Sequence, residues 1–313
     1  VTELVRGLNN IKSKHQQAVM TIGNFDGVHL GHKALIDSIK KSAQALNTVS
    51  LIMVFEPQPQ EFFSANNPVP RLTRFREKCD ALMQMGIDYL LVQPFNATFA
   101  AVTADDFIGL LKNRLNIKKI IVGEDFKFGQ KRAGDVELLK RKSEEGYFNL
   151  ELMPVLTVLG QRVSSTRIRA ALKAADLQLA EVLLGRPYTM MGRIVYGNQL
   201  GRTLGFPTAN IYLHRLQTAV EGIYIVRLHG INKKGLPGVA NIGIRPTIGG
   251  TRTLLEVYLF NFNQSIYGKY VKVEFCEKLR DEICFDNLTL LQQAMEQDAR
   301  AAEAYFVARG ELS

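Results

Sequence analysis

Between Ala18 and Leu184 the apolar positions of the chain change period repeatedly. Ala18–Gly23 is a short apolar run. Val49–Phe55 is a continuous one, of the kind that marks a strand buried on both faces. Tyr89–Val92, Ile120–Val122 and Leu150–Val155 are further strand candidates. Between these runs, Leu30–Leu46, Thr73–Met85, Thr103–Leu115 and Asp135–Glu145 carry apolar residues at helical spacing. Strands alternating with helices predict a parallel sheet covered by helices. Ser165–Ala174 and Leu177–Leu184 read as two closing helices, with Gly185 as the stop.

The pattern changes at Arg186-Pro187. From Tyr188 on, short β-branched and aromatic runs follow one another between turn residues: Arg193–Tyr196, Tyr224–Leu228, Leu254–Phe260 and Tyr270–Phe275. This predicts an antiparallel barrel or sandwich. A last helix over Leu288–Phe306 repeats Leu288, Leu291, Met295, Ala302 and Phe306 on one face, which should pack on the strands. Two domains are expected, 1–186 and 187–313.

Composition fits that division. With 313 residues, 46% of them hydrophobic, the chain can bury two ordinary cores. No run of about 18 uncharged apolar residues predicts a membrane span, and the charged start has no signal-peptide core, so a cytoplasmic location is expected. Cys79, Cys276 and Cys284 form no disulfide or zinc pattern. The net charge of +9 is spread over both halves. It suits anionic ligands such as nucleotides, and without a basic run it does not predict a nucleic-acid arm.

Candidate chemistry in the first half lies between the first strand and helix, in Thr21-Ile22-Gly23-Asn24-Phe25-Asp26-Gly27-Val28-His29-Leu30-Gly31-His32. Open α/β sheets bind ligands at the carboxyl ends of their strands. Gly23 and Gly27 let backbone approach a ligand, and the helix start offers N–H groups to phosphate. His29 and His32, three apart, should share a helix face and donate to a triphosphate. Ser164-Ser165-Thr166-Arg167-Ile168-Arg169 opens another helix. One hydroxyl there can cap the helix while the guanidiniums match phosphate.

These segments resemble the nucleotidyltransferases related to class I aminoacyl-tRNA synthetases. More narrowly, Gly23–His29, Phe55-Glu56-Pro57, Val122–Gly129 and Ser164–Arg169 resemble the FMN adenylyltransferase module of bacterial FAD synthetases. The resemblance implies a Rossmann-like domain in which an FMN phosphate oxygen attacks the α-phosphorus of ATP, with Mg²⁺ bridging phosphates and no general base. His29 and His32 would stabilise phosphate charge, with Gly23, Asn24, Phe25, Asp26 and Gly27 around the nucleotide. Ser165, Thr166 and Arg169 would hold the departing pyrophosphate, with Arg167 as a further nucleotide-binding guanidinium. Phe62, Asp125 and Phe128 are candidates for the flavin side, with plain aromatic core and loop polarity as the alternative. Gln58 stands where many relatives carry His.

In the second half, Gly192-Arg193-Ile194-Val195-Tyr196-Gly197 leads to Gly201-Arg202-Thr203-Leu204-Gly205-Phe206-Pro207-Thr208-Ala209-Asn210. The glycines can form a flap with N–H groups toward phosphates, although this is no Walker A loop. Thr208 and Asn210, two apart on an extended segment, point the same way and are partial ligands for Mg²⁺. Leu204–Asn210 resembles the signature of riboflavin kinases, followed in order by Glu221–Tyr224, Asn241–Thr247, Leu255–Leu259 and Leu279-Arg280. The resemblance implies a six-stranded antiparallel barrel with a terminal helix. Gly192, Gly197, Arg202, Gly205 and Pro207 would surround ATP, Thr208 and Asn210 would hold Mg²⁺–ATP, and Arg245 and Thr247 would lie over the flavin. Glu256 would accept the proton of the ribityl 5′-hydroxyl, with Glu274 as the rival carboxylate.

Taken together the chain resembles the bacterial bifunctional riboflavin kinase/FMN adenylyltransferases, the FAD synthetases of riboflavin biosynthesis. It should take riboflavin, FMN and ATP as small-molecule substrates, acting as a monomer with no nucleic-acid or membrane partner. The rivals are a chain with one live module and a flavin- or RNA-binding regulator.

Overall fold

The computed structural model describes residues 2–64, 69–197, 205–215, 217–247 and 250–312, with backbone only for 244–247 and 250–252. The chain divides into two compact units, Val1–Val69 with Thr73–Ser165, and Pro70–Leu72 with Thr166–Ser313.

In the first unit, β1 (Glu3–Arg6), β2 (Val19–Ile22), β3 (Ser50–Glu56), β4 (Tyr89–Pro94), β5 (Lys119–Gly123) and β6 (Asn149–Met153) form one sheet. Its order is β1-β4-β3-β2-β5-β6 and every pairing is parallel. The helices are α1 (Leu30–Ala45), α2 (Pro59–Phe63), α3 (Phe75–Gln84), α4 (Ala97–Ala100), α5 (Ala104–Gly109) and α6 (Val136–Glu144). Thr103–Leu115 reads as one helix in sequence. In the structure α5 stops at Gly109 and the chain continues through a π-helical turn, Leu110–Arg114.

Two cores explain the continuous apolar strands. Met20, Ile22, Leu51, Met53 and Val122 pack on one face with Phe107, Leu111 and Leu139. Val19, Ile52, Val54 and Ile121 pack on the other with Ile36, Ile39 and Leu82. The chain runs from β2 through β3 to β4 on one side, and β5 and β6 follow on the other. The reversal opens a crevice at the carboxyl ends of β2 and β5, where such sheets bind ligands. A small hairpin, β7 (Thr157–Val158) and β8 (Gln161–Arg162), ends the unit.

The second unit takes in α7 (Ser165–Lys173) after its first residue, and α8 (Leu177–Leu184), which lies against the last barrel strand. The unit border therefore falls earlier in the chain than the change of composition at Arg186-Pro187. The strands are β9 (Thr189–Val195), β10 (Thr208–Tyr212), β11 (Gly222–His229), β12 (Leu236–Thr247), β13 (Gly250–Leu259) and β14 (Tyr270–Arg280). They close a barrel in the order β10-β13-β12-β11-β14-β9, with antiparallel pairing throughout. The terminal helix α9 (Leu288–Val307) buries Ala302 and Phe306 against Ile225 and Phe260, with Val239 and Tyr258 alongside.

Candidate active sites

At the end of β2, the Gly23 N–H still donates to the Met53 carbonyl at 3.1 Å. The chain then turns through three left-handed residues, Phe25 (φ 50°), Gly27 (φ 82°) and Val28 (φ 44°). Two of them carry side chains, so the turn is strained and must be held by its surroundings. Thr73 and Ser165 hold it. Asp26 Oδ1 accepts the Thr73 N–H at 3.0 Å and its hydroxyl at 3.3 Å, and the Gly27 N–H donates to Thr73 Oγ1 at 3.0 Å. The Ser165 hydroxyl donates to the Asp26 carbonyl at 2.9 Å.

The sequence analysis placed Phe25 and Asp26 around the nucleotide. The structure buries both, leaving Phe25 1% and Asp26 2% exposed. Asp26 anchors the loop, and the Phe25 ring lies 4.7 Å from that of His32 and supports it. Gly23 serves the same end, because a Cβ there would sit 3.1 Å from the Phe25 ring.

His29 is not within the first helical turn, as its spacing suggested, but is the N-cap of α1, with φ −83° and ψ 175°. Its ring stacks on that of His32 at 3.6 Å. Each residue's backbone N–H donates to the other's Nδ1 at 3.3 Å. A nitrogen that accepts carries no proton, so both rings hold theirs on Nε2. A Cβ at Gly31 would lie 3.2 Å from His29 Cε1, which explains the glycine between the pair. Asn24 is half-buried.

Of the flavin-side candidates, Phe128 is buried in the first core and packs 5.3 Å from Phe107. Asp125 is exposed and paired with Arg162 at 2.7 Å. Phe62 is 37% exposed on α2 and touches Phe95 at 5.5 Å, which in turn meets Phe55 and Phe99. It is the aromatic of the set that is open to a ligand. Thr166, Arg167 and Arg169 follow Ser165 on α7, and Arg169 Nε donates to the Pro70 carbonyl at 2.8 Å.

The second site is a patch on the outside of the barrel. Along β13, Thr253, Leu255, Val257 and Leu259 are buried inward, so Glu256 and Tyr258 face outward. The register sets Thr208, Tyr258 and Val239 in one row across β10, β13 and β12, and Asn210, Glu256 and Asn241 in the next. Directly opposed residues of antiparallel strands share a face. The Glu256 carboxyl group is thus flanked by Asn210 on one strand and Asn241 on the other, with Thr208 one row away.

A Cβ at Gly197 would overlap the Asn210 amide. Gly205 has φ 85° with open space around it, and Phe206 beside it packs edge-on to Tyr258 at 5.0 Å. Pro207 is half-buried and leads into β10. Gly192, expected in the flap, is buried in the middle of β9 opposite Val271. A Cβ there would meet the Tyr212 carbonyl at 2.8 Å, a packing reason for the glycine. Arg202 lies outside the described residues, as do the side chains of Arg245 and Thr247, whose backbone is in β12.

The rival carboxylate Glu274 lies on β14. It accepts from Arg227 Nη1 at 2.6 Å and sits 2.9 Å from His229 Nε2. Arg280, on the same strand, pairs with Asp298 of α9 at 2.7 Å. Both are structural ion pairs on the side of the barrel that joins β11 and α9.

Thr208 and Asn210 offer hard oxygen donors of the kind Mg²⁺ takes. No group of three or more His, Cys, Asp or Glu among the described residues could hold an ion by itself. This donor set therefore fits a cation whose remaining ligands are phosphates and water. Sequence reasoning missed Thr73, Asn241 and the reciprocal caps. Thr73 and Asp26 are joined only by the fold, and Asn241 stands in a recognised segment whose register the sequence does not show.

The sequence model of the FAD synthetase family matches residues 11–167, and that of riboflavin kinase matches 184–306. A "Bifunctional riboflavin kinase/FMN adenylyltransferase" of Haemophilus influenzae is 46% identical over 97% of this chain and 99% of its own. One of Escherichia coli is 43% identical over 97% and 98%. A solved structure described as a macrolide-efflux protein from Streptococcus pneumoniae has a TM-score of 0.79 and 29% identity. The match covers 96% of this chain and 99% of that one. Among the described residues, no helix is long and apolar enough to cross a membrane.

Proposed function

The chain belongs to the bifunctional riboflavin kinase/FMN adenylyltransferase family, and from that premise we propose how its residues divide the two reactions. The enzyme phosphorylates riboflavin to FMN with ATP and then transfers an adenylyl group from a second ATP to FMN, giving FAD and pyrophosphate. We assign adenylyl transfer to 1–186 and phosphorylation to 187–313. The matches at 11–167 and 184–306 support this division.

In the kinase step the 5′-hydroxyl oxygen of riboflavin attacks the γ-phosphorus, ADP leaves, and Glu256 accepts the hydroxyl proton. Thr208 and Asn210 would hold the Mg²⁺ of an Mg²⁺–ATP complex, and the cation would supply neutralisation of phosphate charge. Gly197, Arg202, Gly205 and Pro207 form the flap, and Arg245 and Thr247 lie over the flavin. The observation that carries this reading is the placement of Asn210 directly across from Glu256, which puts metal ligand and base on one face.

In the adenylyl step an ionised phosphate oxygen of FMN attacks the α-phosphorus and pyrophosphate leaves, so no base is needed. His29 and His32 donate from Nε2 to the phosphates, and Gly23, Asn24 and Gly27 give the nucleotide access to the backbone. Ser165, Thr166, Arg167 and Arg169 hold the leaving pyrophosphate, and Phe62 stacks on the flavin. Catalysis is positioning and charge neutralisation. We read the enzyme as cytoplasmic and monomeric, acting on small-molecule substrates.

Incubation of the protein with riboflavin, ATP and Mg²⁺, followed by chromatography, should show FMN first and FAD after it. FMN without FAD would refute the role given to the first unit, and no FMN that given to the second.

A further inference from the structure

We infer that Asn241 holds the ribityl chain of riboflavin beside Glu256, its Oδ1 accepting a hydrogen bond from the hydroxyl next to the one that is phosphorylated. The inference rests on the kinase reading above and adds a residue that orients the alcohol substrate. Three observations carry it.

The first is register. Asn241 on β12 is directly opposite Glu256 on β13, and Asn210 on β10 is opposite Glu256 on its other side. Such pairs have Cβ atoms roughly 5 Å apart on one face. The base therefore has metal and phosphate ligands on one flank and an amide on the other.

The second is an acceptor left over. Asn241 Oδ1 is buried and has no hydrogen-bond partner among the described residues. Native proteins seldom leave such an atom unmet, and beside a substrate site a water or a ligand group is what meets it. Its orientation is fixed, because Nδ2 donates to Glu282 Oε1 at 3.3 Å. The end that meets the carboxylate must be the NH₂, so the other end is the carbonyl oxygen.

The third is chemistry. An orphan acceptor calls for a donor, and ATP phosphates at neutral pH offer none. The polyol chain of riboflavin offers several. The 5′-hydroxyl must give its proton to Glu256, so the 4′-hydroxyl beside it is the donor within reach of the next residue across the sheet. Held at both hydroxyls, the chain presents its terminal oxygen toward Thr208 and Asn210 on β10, the residues to which the kinase reading assigns the phosphates.

The test compares riboflavin with its 4′-deoxy analogue on the full-length enzyme and on Asn241→Leu, which keeps the volume and loses the acceptor. Wild type should use the analogue with kcat/KM about tenfold lower, the scale of one well-made hydrogen bond. Asn241→Leu should lose about tenfold with riboflavin, keep its KM for ATP, and no longer distinguish the two flavins. Equal discrimination by variant and wild type, or none by wild type, overturns the inference. The wild-type comparison stands even where the variant folds poorly. Glu256→Gln separates this inference from its premise. If that variant still makes FMN, the kinase reading itself has failed. If it makes none while Asn241→Leu behaves as wild type, only the role of Asn241 is lost.

Discussion

The imidazoles of His29 and His32 lie parallel, 3.6 Å apart, and each Nδ1 accepts the backbone N–H of the other residue at 3.3 Å. This arrangement ties a helix cap to a tautomer. The two Nδ1 nitrogens are acceptors, so in the neutral rings each proton sits on Nε2. A protonated Nδ1 could not accept, so the caps and the paired Nε2–H donors exist together only in the neutral rings.

Nitrogen NMR of the folded protein should therefore find both rings as Nε2–H tautomers near neutral pH. His32→Ala should slow FMN-to-FAD conversion by about 10²–10³, the usual loss for one preorganised donor to developing charge. Riboflavin-to-FMN conversion in the same sample should hold. A variant that loses both steps while still folded would refute the division of labour between the units.

Gly197→Ala places a methyl group on the Asn210 amide, which has only 6% exposure and little room to move. The kinase should lose about tenfold or more in kcat, and adenylylation of added FMN should be unchanged. Gly205→Ala is the contrast. It has open space but φ 85°, so its cost is backbone strain of about 1 kcal/mol, read as a small fall in Tm.

Glu256 and Glu274 are both outward carboxylates on barrel strands, and strand alternation alone does not separate them, although the resemblance favours Glu256. The structure gives Glu274 two cationic partners, Arg227 at 2.6 Å and His229 at 2.9 Å, at 17% exposure. Removing its charge leaves Arg227 with Glu311 alone. Glu274→Gln should therefore cost about 1–3 kcal/mol in urea unfolding and leave kcat for FMN formation near wild type. Glu256→Gln should do the reverse, abolishing FMN formation at nearly unchanged stability.

Local signals carried the sequence analysis as far as they reach. β3 was legible because Ser50–Val54 is buried on both faces and reads as an unbroken apolar run. Thr208 and Asn210 were legible as a pair because strand periodicity is a property of the segment itself. β12 was missed because Pro237, Gly238, Gly243 and Pro246 read as turns. Gly238 lies so close to the Tyr258 carbonyl that no side chain fits, a constraint imposed by a neighbouring strand. Gly192 likewise reads as a flap residue in sequence, whereas the Tyr212 carbonyl of a neighbouring strand excludes a side chain there. Thr73 looked like the start of a helix, whereas α3 begins at Phe75 and Thr73 is bound to Asp26. These misses are contacts between distant segments, which no local pattern encodes, whereas the His29–His32 caps are local and lie within one turn.

The three cysteines give a test of the packing that needs no substrate. Burial pushes the Cys79 thiol up to about 11. Burial, reinforced by the nearby Glu274 carboxylate, pushes Cys276 up to about 12. Cys284 is exposed. Alkylation requires the thiolate and access to it. With thiols titrating this high, Cys79 and Cys276 stay protonated through the mildly alkaline range in which exposed cysteines react. Iodoacetamide on the native protein at about pH 8 should therefore label Cys284 alone, as read by mass spectrometry of the digested protein, and all three should label in denaturant. Labelling of Cys276 at the rate of Cys284 would mean that the outer face of β14 is not covered by α9 in solution, and the contacts of Arg280 and Glu274 described above would fall with it.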